Sequence, residues 1–343
     1  MSSQQVLLTD VLVVGGGING AGIARDAAGR GLSVVLCEKD DLASHTSSAS
    51  TKLIHGGLRY LEHYEFGLVR KALIEREVLL RAAPHIMWPM RFVMPHDKGQ
   101  RPSWMIRAGL LIYDFLAKRE ILPGSGGIDL RSHPAGKPLK AEFTKGFVYS
   151  DGWVDDARLV VLNALDAAEK GAQVFTHTSC ESAKRVGDRW HATLRRANGS
   201  TVDIKARALI NAAGPWIDKV LASLGRPTGV GVDRSKGVHV LTRPLGGPGR
   251  VKDAVFARAR SGRHVIVSPW MGKSFIGIER EERYFDAACR RIRETNEWLT
   301  QEYPQERARV QTFKSQEAAI ERGAVIADRH AVERAALQRG DDQ

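Results

Sequence analysis

The chain has 343 residues, of which 43% are hydrophobic and 26% charged, with a formal net charge of +12. This is the composition of a folded globular protein with room for one large or two ordinary domains, and it excludes a chain disordered throughout. Cys37, Cys180 and Cys289 stand too far apart for a CxxC pair or a zinc-ligand spacing, so neither a disulfide framework nor a metal site is expected, and the reducing cytoplasm is the default compartment.

The first apolar run, Val6 to Val14, has no basic leader and runs straight into glycines, so no secretory signal is expected there. Asp10-Val-Leu-Val-Val14 is compact, apolar and β-branched, the pattern of a buried parallel strand. It ends in Gly15-Gly-Gly-Ile-Asn-Gly20, and Ala21 to Arg30 then has helical spacing of small and apolar residues. In this strand–turn–helix, Gly15 permits the tight turn, Gly17 lets the backbone approach a pyrophosphate, and Gly20 allows helix and strand to touch. The helix N-terminus supplies N–H groups and a positive dipole end. A second strand, Leu32 to Cys37, ends at Glu38, about 20 residues past the glycines, where a carboxylate suits the two hydroxyls of an adenosine ribose. Together these features predict a dinucleotide site, against a glycine-rich turn of some other α/β domain.

The next segment departs from simple strand–helix alternation. Ala43-Ser-His-Thr-Ser-Ser-Ala-Ser-Thr51 is a run of small hydroxyl residues, and Lys52-Leu-Ile-His-Gly-Gly-Leu-Arg-Tyr60 follows. Hydroxyls, amides and a lysine in one loop suit an extended flavin dinucleotide, while a flexible Ser-rich linker is the other reading. Trp104 to Leu116, the longest apolar stretch, is interrupted by Arg107 and Asp114 and is too short for a bilayer core of about 30 Å, so an amphipathic helix is expected. Asp155, Asp156 and Arg158 have the spacing of a helix start, where carboxylates cap rather than do acid–base work. Gln173–Thr178 and Trp190–Leu194 read as a strand pair. Ala208-Leu-Ile210 is a short strand leading into Asn211-Ala-Ala-Gly-Pro-Trp216, whose glycine brings backbone close to something narrow.

The run Gly15 to Ala24, Asp26 to Gly31, Thr46-Ser-Ser-Ala-Ser50 and Lys52 to Phe66 resembles the flavin-dependent, aerobic glycerol-3-phosphate dehydrogenases. The likeness continues through Ala83-Pro-His85, Tyr149-Ser-Asp151, Trp153 to Val160, Asn211 to Trp216, Ser235-Lys-Gly237 and Pro269-Trp-Met271, and covers about residues 8 to 277. It implies an α/β fold, with a Rossmann-like FAD-binding domain of the two-dinucleotide-binding type (8–90 and 145–230) interleaved with a mixed-sheet α+β substrate domain (91–144 and 231–277). It also implies oxidation of sn-glycerol 3-phosphate to dihydroxyacetone phosphate, with electrons passed to a quinone at the cytoplasmic membrane, where the protein would be peripheral. A homodimer is compatible with this reading.

That chemistry needs a base, a hydride acceptor and a cationic clamp for the phosphate. In family terms Arg59 and Tyr60 sit beside the substrate, the other reading of Arg59 being a surface arginine. His239 is the candidate base or substrate contact, since imidazole titrates near neutral pH; a structurally satisfied histidine is the alternative. The expected cofactor contacts are Gly15, Gly17, Gly20, Glu38, Lys39, Thr46, Ser47, Ser48, Ser50, Lys52, Leu53, His55, Gly56, Gly57, Leu58, Ala213 and Gly214, with Cys180 near the adenine end. The positive balance suits an anionic leaflet or a phosphorylated substrate; no zinc finger, RNP-type motif or dense basic arm accompanies it, so nucleic acid is not an expected partner. After Gly277 the family's Thr-Thr-Asp, Gly-Val-Arg-Pro and Gly-Gly-Lys segments are absent. Residues 278–343 read as a divergent, Arg- and Glu-rich helical tail. The alternative to an active enzyme is therefore an FAD-binding remnant lacking those contacts.

Overall fold

The computed structural model describes residues 6–97, 99–137, 139–225, 238–242, 253–258, 264–270 and 273–278. They form two compact units, with boundaries after Ser50 and after Val154. The expected helices of the tail, and the Ser235-Lys-Gly237 segment, lie outside the described residues.

The first unit opens with β1 (Val6–Val14), α1 (Ile18–Gly29) and β2 (Val34–Cys37). It resumes with α4 (Asp156–Glu169), β7 (Gln173–Phe175), β8 (Thr178–Val186), β9 (Arg189–Arg196), β10 (Thr201–Asn211) and α5 (Ile217–Ser223). The sheet order is β7-β2-β1-β10-β9-β8, with β7, β2, β1 and β10 parallel. Alternation along β1 sends Val11 and Val13 to a cluster with Ala24, Ala27 and Ala28 of α1, and Leu12 and Val14 to a cluster with Leu194, Val202 and Ile204. Both faces of β1 are thus buried, which is why its sequence is continuously apolar where it meets the sheet core; full burial of a side chain such as Leu12 is worth about 1.5–3 kcal/mol. Ala21 of α1 and Ala164 of α4 meet in one small-residue cluster, so the two helices approach closely. Val14 pairs with both Cys37 and Asn211. Three strands therefore end in register at one end of the sheet, and their loops converge there.

The second unit comprises β3 (Leu53–Ile54), a 3-10 turn (Leu58–His63), α2 (Phe66–Ala82), β4 (Met87–His96), α3 (Ser103–Phe115), β5 (Gly126–Asp129) and β6 (Lys145–Val154). Strands β11 (Val238–Thr242), β12 (Ala254–Arg258), β13 (His264–Trp270) and β14 (Lys273–Ile278) complete its mixed sheet, ordered β11-β14-β13-β12-β4-β6-β3 with β5 on β6. The domain limits at 90/91 and 144/145 need correction. β4 pairs with β6 along its whole length, Met87 with Val154 through His96 with Lys145, and β3 pairs with β6 as well. Cutting at residue 90 would divide a strand, so 51–90 and 145–154 belong to this second unit.

The expected pairing of Gln173–Thr178 with Trp190–Leu194 is also corrected. β7 joins β2, and it is β8 that forms the hairpin with β9. His177, at φ 48°, breaks the chain between β7 and β8 and sends them to opposite edges of the sheet.

Candidate functional site

At the end of the sheet where β1, β2 and β10 finish, the first unit holds a groove of about 400 Å³. Gly15, Gly17, Glu38, Lys39, Thr46, Ser47, Cys180, Ala213 and Gly214 line it, together with His45 and Trp216. Gly15 adopts φ +114°, a conformation that side chains rarely tolerate, and a Cβ there would lie 2.5 Å from the Ala212 carbonyl oxygen. Gly20 is behind the turn rather than in the groove, and a Cβ on it would fall 1.8 Å from the Gly15 carbonyl oxygen. The fingerprint thus sets α1 directly against β1. Helix α1 has Gly17 as its N-cap, with no cap side chain and no acid in its first turn, so no residue of the helix itself offsets its N-terminal dipole.

Glu38 is 7% exposed and occupies the end of β2, where its carboxylate accepts from Gly16 N at 2.7 Å and Asp40 N at 2.9 Å. The hydroxyl loop starts with Ala43 N donating to Gly16 O, and the Ser47 hydroxyl oxygen accepts from Ile18 N at 2.9 Å. Sulfur enters from β8, where burial, with Glu181 nearby, pushes the Cys180 thiol up to about 11, so it packs as a neutral group. Ser48 and Ser50 do not line this groove. The Ser48 hydroxyl donates to His45 O, and the Ser50 hydroxyl to buried Asp156 at 2.7 Å. Asp155 caps α4 by accepting from Arg158 N, the capping role expected of it.

A family profile described as FAD dependent oxidoreductase matches residues 10–319. The chain belongs to this family. Among relatives, a glycerol-3-phosphate dehydrogenase of Pseudomonas tolaasii is 63% identical over 237 residues, which is 69% of this chain and 46% of the relative. D-erythritol 1-phosphate dehydrogenase of Brucella abortus is 53% identical over 286 residues, 82% of this chain and 56% of that protein. The crystal structure of the glycerol-3-phosphate dehydrogenase of Bacillus halodurans complexed with FAD is 28% identical, with a TM-score of 0.57 over 82% of this chain and 49% of that one. The chain spans about half the length of the curated relatives it matches.

As in other FAD-dependent oxidoreductases, the cofactor is FAD, and the groove fits its ADP half. A buried acid stands at the end of the second strand, a side-chain-free turn leads into a helix with no cap side chain of its own, and hydroxyls flank that turn.

The other expected residues lie in the second unit. Lys52 is left-handed at φ 58° and its carbonyl accepts from Val154 N, while Leu53 pairs with Trp153. Leu53, Leu58 and Tyr60 pack against the cluster of Val69, Leu73, Phe92 and Tyr113. Gly57 is left-handed at φ 69° and heads the 3-10 turn that carries Arg59 and Tyr60, and its N–H donates to His55 Nδ1 at 3.0 Å. His239 is on β11, in register with Gly277 of β14.

Beneath the Gly56–Gly57 turn is a polar network that the sequence reading missed. Arg76 is 1% exposed and donates to Asp151 at 2.6 Å and to the Ser150 carbonyl at 3.2 Å. The Tyr113 hydroxyl donates to the same carboxylate at 2.8 Å and accepts from Gly56 N at 2.8 Å. Burial is the largest single influence and would depress the guanidinium, but Asp151, by charge and hydrogen bond, together with Tyr113 and Glu77 outweighs it and holds Arg76 above its ordinary value. Desolvation first, then Asp151, pushes the Tyr113 hydroxyl well up, so it remains a hydrogen-bond donor. The residues alone announced none of this, because arginine in an amphipathic helix reads as a surface residue; only the partners' positions in space reveal it.

Proposed function

We propose that the chain uses FAD to oxidise a secondary alcohol of a phosphorylated polyol, with sn-glycerol 3-phosphate as substrate and dihydroxyacetone phosphate as product. The observation that carries this reading is the 63% identity to a glycerol-3-phosphate dehydrogenase. When bound, the flavin supplies the hydride acceptor. The chain's own part is to hold the ADP half in the groove, to clamp the phosphate and to take the hydroxyl proton. Arg59 is the proposed phosphate clamp, because a guanidinium can pair with a phosphate through two parallel hydrogen bonds. Tyr60 is proposed beside it, and His239 as base or substrate contact. Lys52, Leu53, His55, Gly56, Gly57 and Leu58 are proposed flavin contacts by family likeness, as are Ser48 and Ser50 despite their position off the groove.

A second substrate, D-erythritol 1-phosphate, is favoured by one observation: over a matched share of this chain the erythritol-phosphate relative is 53% identical (82% of the chain), against 48% for the aerobic glycerol-3-phosphate dehydrogenase of Escherichia coli (83% of the chain). The proposed electron acceptor is a quinone, reached by peripheral attachment to the anionic cytoplasmic leaflet. The deciding measurement is the visible spectrum of the purified protein, recorded anaerobically before and after each phosphate is added. Bleaching by glycerol 3-phosphate supports the first reading, and faster bleaching by D-erythritol 1-phosphate the second. Flavin that stays oxidised with both would leave the binding remnant.

A further inference from the structure

Trp216 ends the 3-10 turn Gly214–Trp216 that follows β10, and it lines the dinucleotide groove. The Lys39 ammonium stands 4.2 Å from the centroid of its ring, and the His45 imidazole lies tilted on it at a centroid separation of 4.4 Å. Both side chains also meet one carboxylate: Asp40 Oδ2 is 2.7 Å from His45 Nε2 and 3.2 Å from Lys39 Nζ. The backbone N–H of Asp40 donates to Glu38, the acid at the end of β2. Lys39 and Asp40 follow β2, His45 belongs to the hydroxyl loop and Trp216 follows β10, so one ring of contacts joins the three segments that converge on the groove.

We propose that Trp216, Lys39, His45 and Asp40 form a clasp that holds these segments closed on the ADP half of the dinucleotide, with the indole as its pivot. The proposal rests on the FAD reading above and extends it to four positioning residues. An indole face attracts a cation through its quadrupole and gives a flat apolar wall, while the ammonium adds positive charge beside a site for phosphates. The shared Asp40 carboxylate ties both partners of the ring together, and the Asp40 backbone N–H, by donating to Glu38, links the ring to the acid. Removing the indole should therefore loosen the loop and the acid together.

The test is binding to the 343-residue chain stripped of flavin, titrated with FAD and separately with ADP, with far-UV circular dichroism as the control for folding. Trp216→Ala should weaken both ligands about two- to fivefold, the order of one cation–π contact whose lysine is partly exposed. Trp216→Phe should keep most of the affinity, and Lys39→Met should weaken both ligands when Trp216 is present but add little in the Trp216→Ala background. The unmodified protein should also show tryptophan quenching on ADP addition that Trp216→Phe largely lacks. A folded Trp216→Ala protein that binds ADP like its parent overturns the clasp. If Trp216→Ala does not fold, Lys39→Met and His45→Gln decide the matter, since unchanged ADP affinity in both is equally fatal. Failure of the unmodified protein to bind either ligand would instead sink the FAD reading, and the clasp with it.

Discussion

Arg76 shows most clearly how a single residue is set by its surroundings. It is among the largest fully buried side chains and lies next to Glu77, which is also buried and accepts from the N–H groups of Glu120 and Ile121. Replacing one partner of such a pair strands the other charge out of water, so Arg76→Met should cost about 3–5 kcal/mol, read as a lowered midpoint in urea unfolding. A loss below about 1 kcal/mol would show that Asp151 finds other support. At this scale the sequence was readable only where partners are close along the chain. Asp155 is three residues from the N–H it caps, whereas Asp151 lies 75 residues from Arg76.

Individual elements were more legible. Apolar periodicity and the glycine spacing gave β1, α1 and β2 with ends displaced by only a few residues, because the turn chemistry is local. The same helix supplies a matched pair of variants. Gly20→Ala would place a Cβ 1.8 Å from the Gly15 carbonyl oxygen, whereas a Cβ at Gly22 meets nothing within 4 Å. Gly20→Ala should therefore displace α1, lose FAD and destabilise the protein by about 1–3 kcal/mol, while Gly22→Ala should be neutral or stabilising by up to about 1 kcal/mol. Flavin content after purification and thermal midpoints check both; equal behaviour of the two variants would refute the close helix–strand contact. Strand pairing was less legible than strand location. β7 and β8 are separated by a break at His177 that no hydrophobic pattern marks, so their partners could not be assigned from pattern alone.

For the whole molecule, the quantity that bears on partners is charge. The net +12 favours anionic surfaces, and α3 exposes Trp104 (69%) and Phe115 (77%) while burying Leu110 and Tyr113. Among the described residues no helix is long and apolar enough to cross a membrane. Attachment as proposed should appear as co-sedimentation with vesicles rich in anionic lipid at low salt. It should fall steeply as salt is raised if charge alone holds the protein, and persist in part if the α3 aromatics insert. No co-sedimentation at low salt would remove the membrane from the proposal.

The sequence by itself determined the strand–turn–helix, the acid at the end of the second strand, the hydroxyl loop and hence the FAD-dependent family, because each depends on residues within a few turns of chain. Tertiary structure decided where the two units divide, since the pairing of β4 with β6 links segments far apart in sequence. It also turned Ser50 away from the groove onto Asp156, buried Arg76 beneath the Gly56–Gly57 turn, and set Trp216 between Lys39 and His45. Hydrophobic and glycine patterns encode which backbone forms; the meeting of polar side chains depends on how those backbones pack.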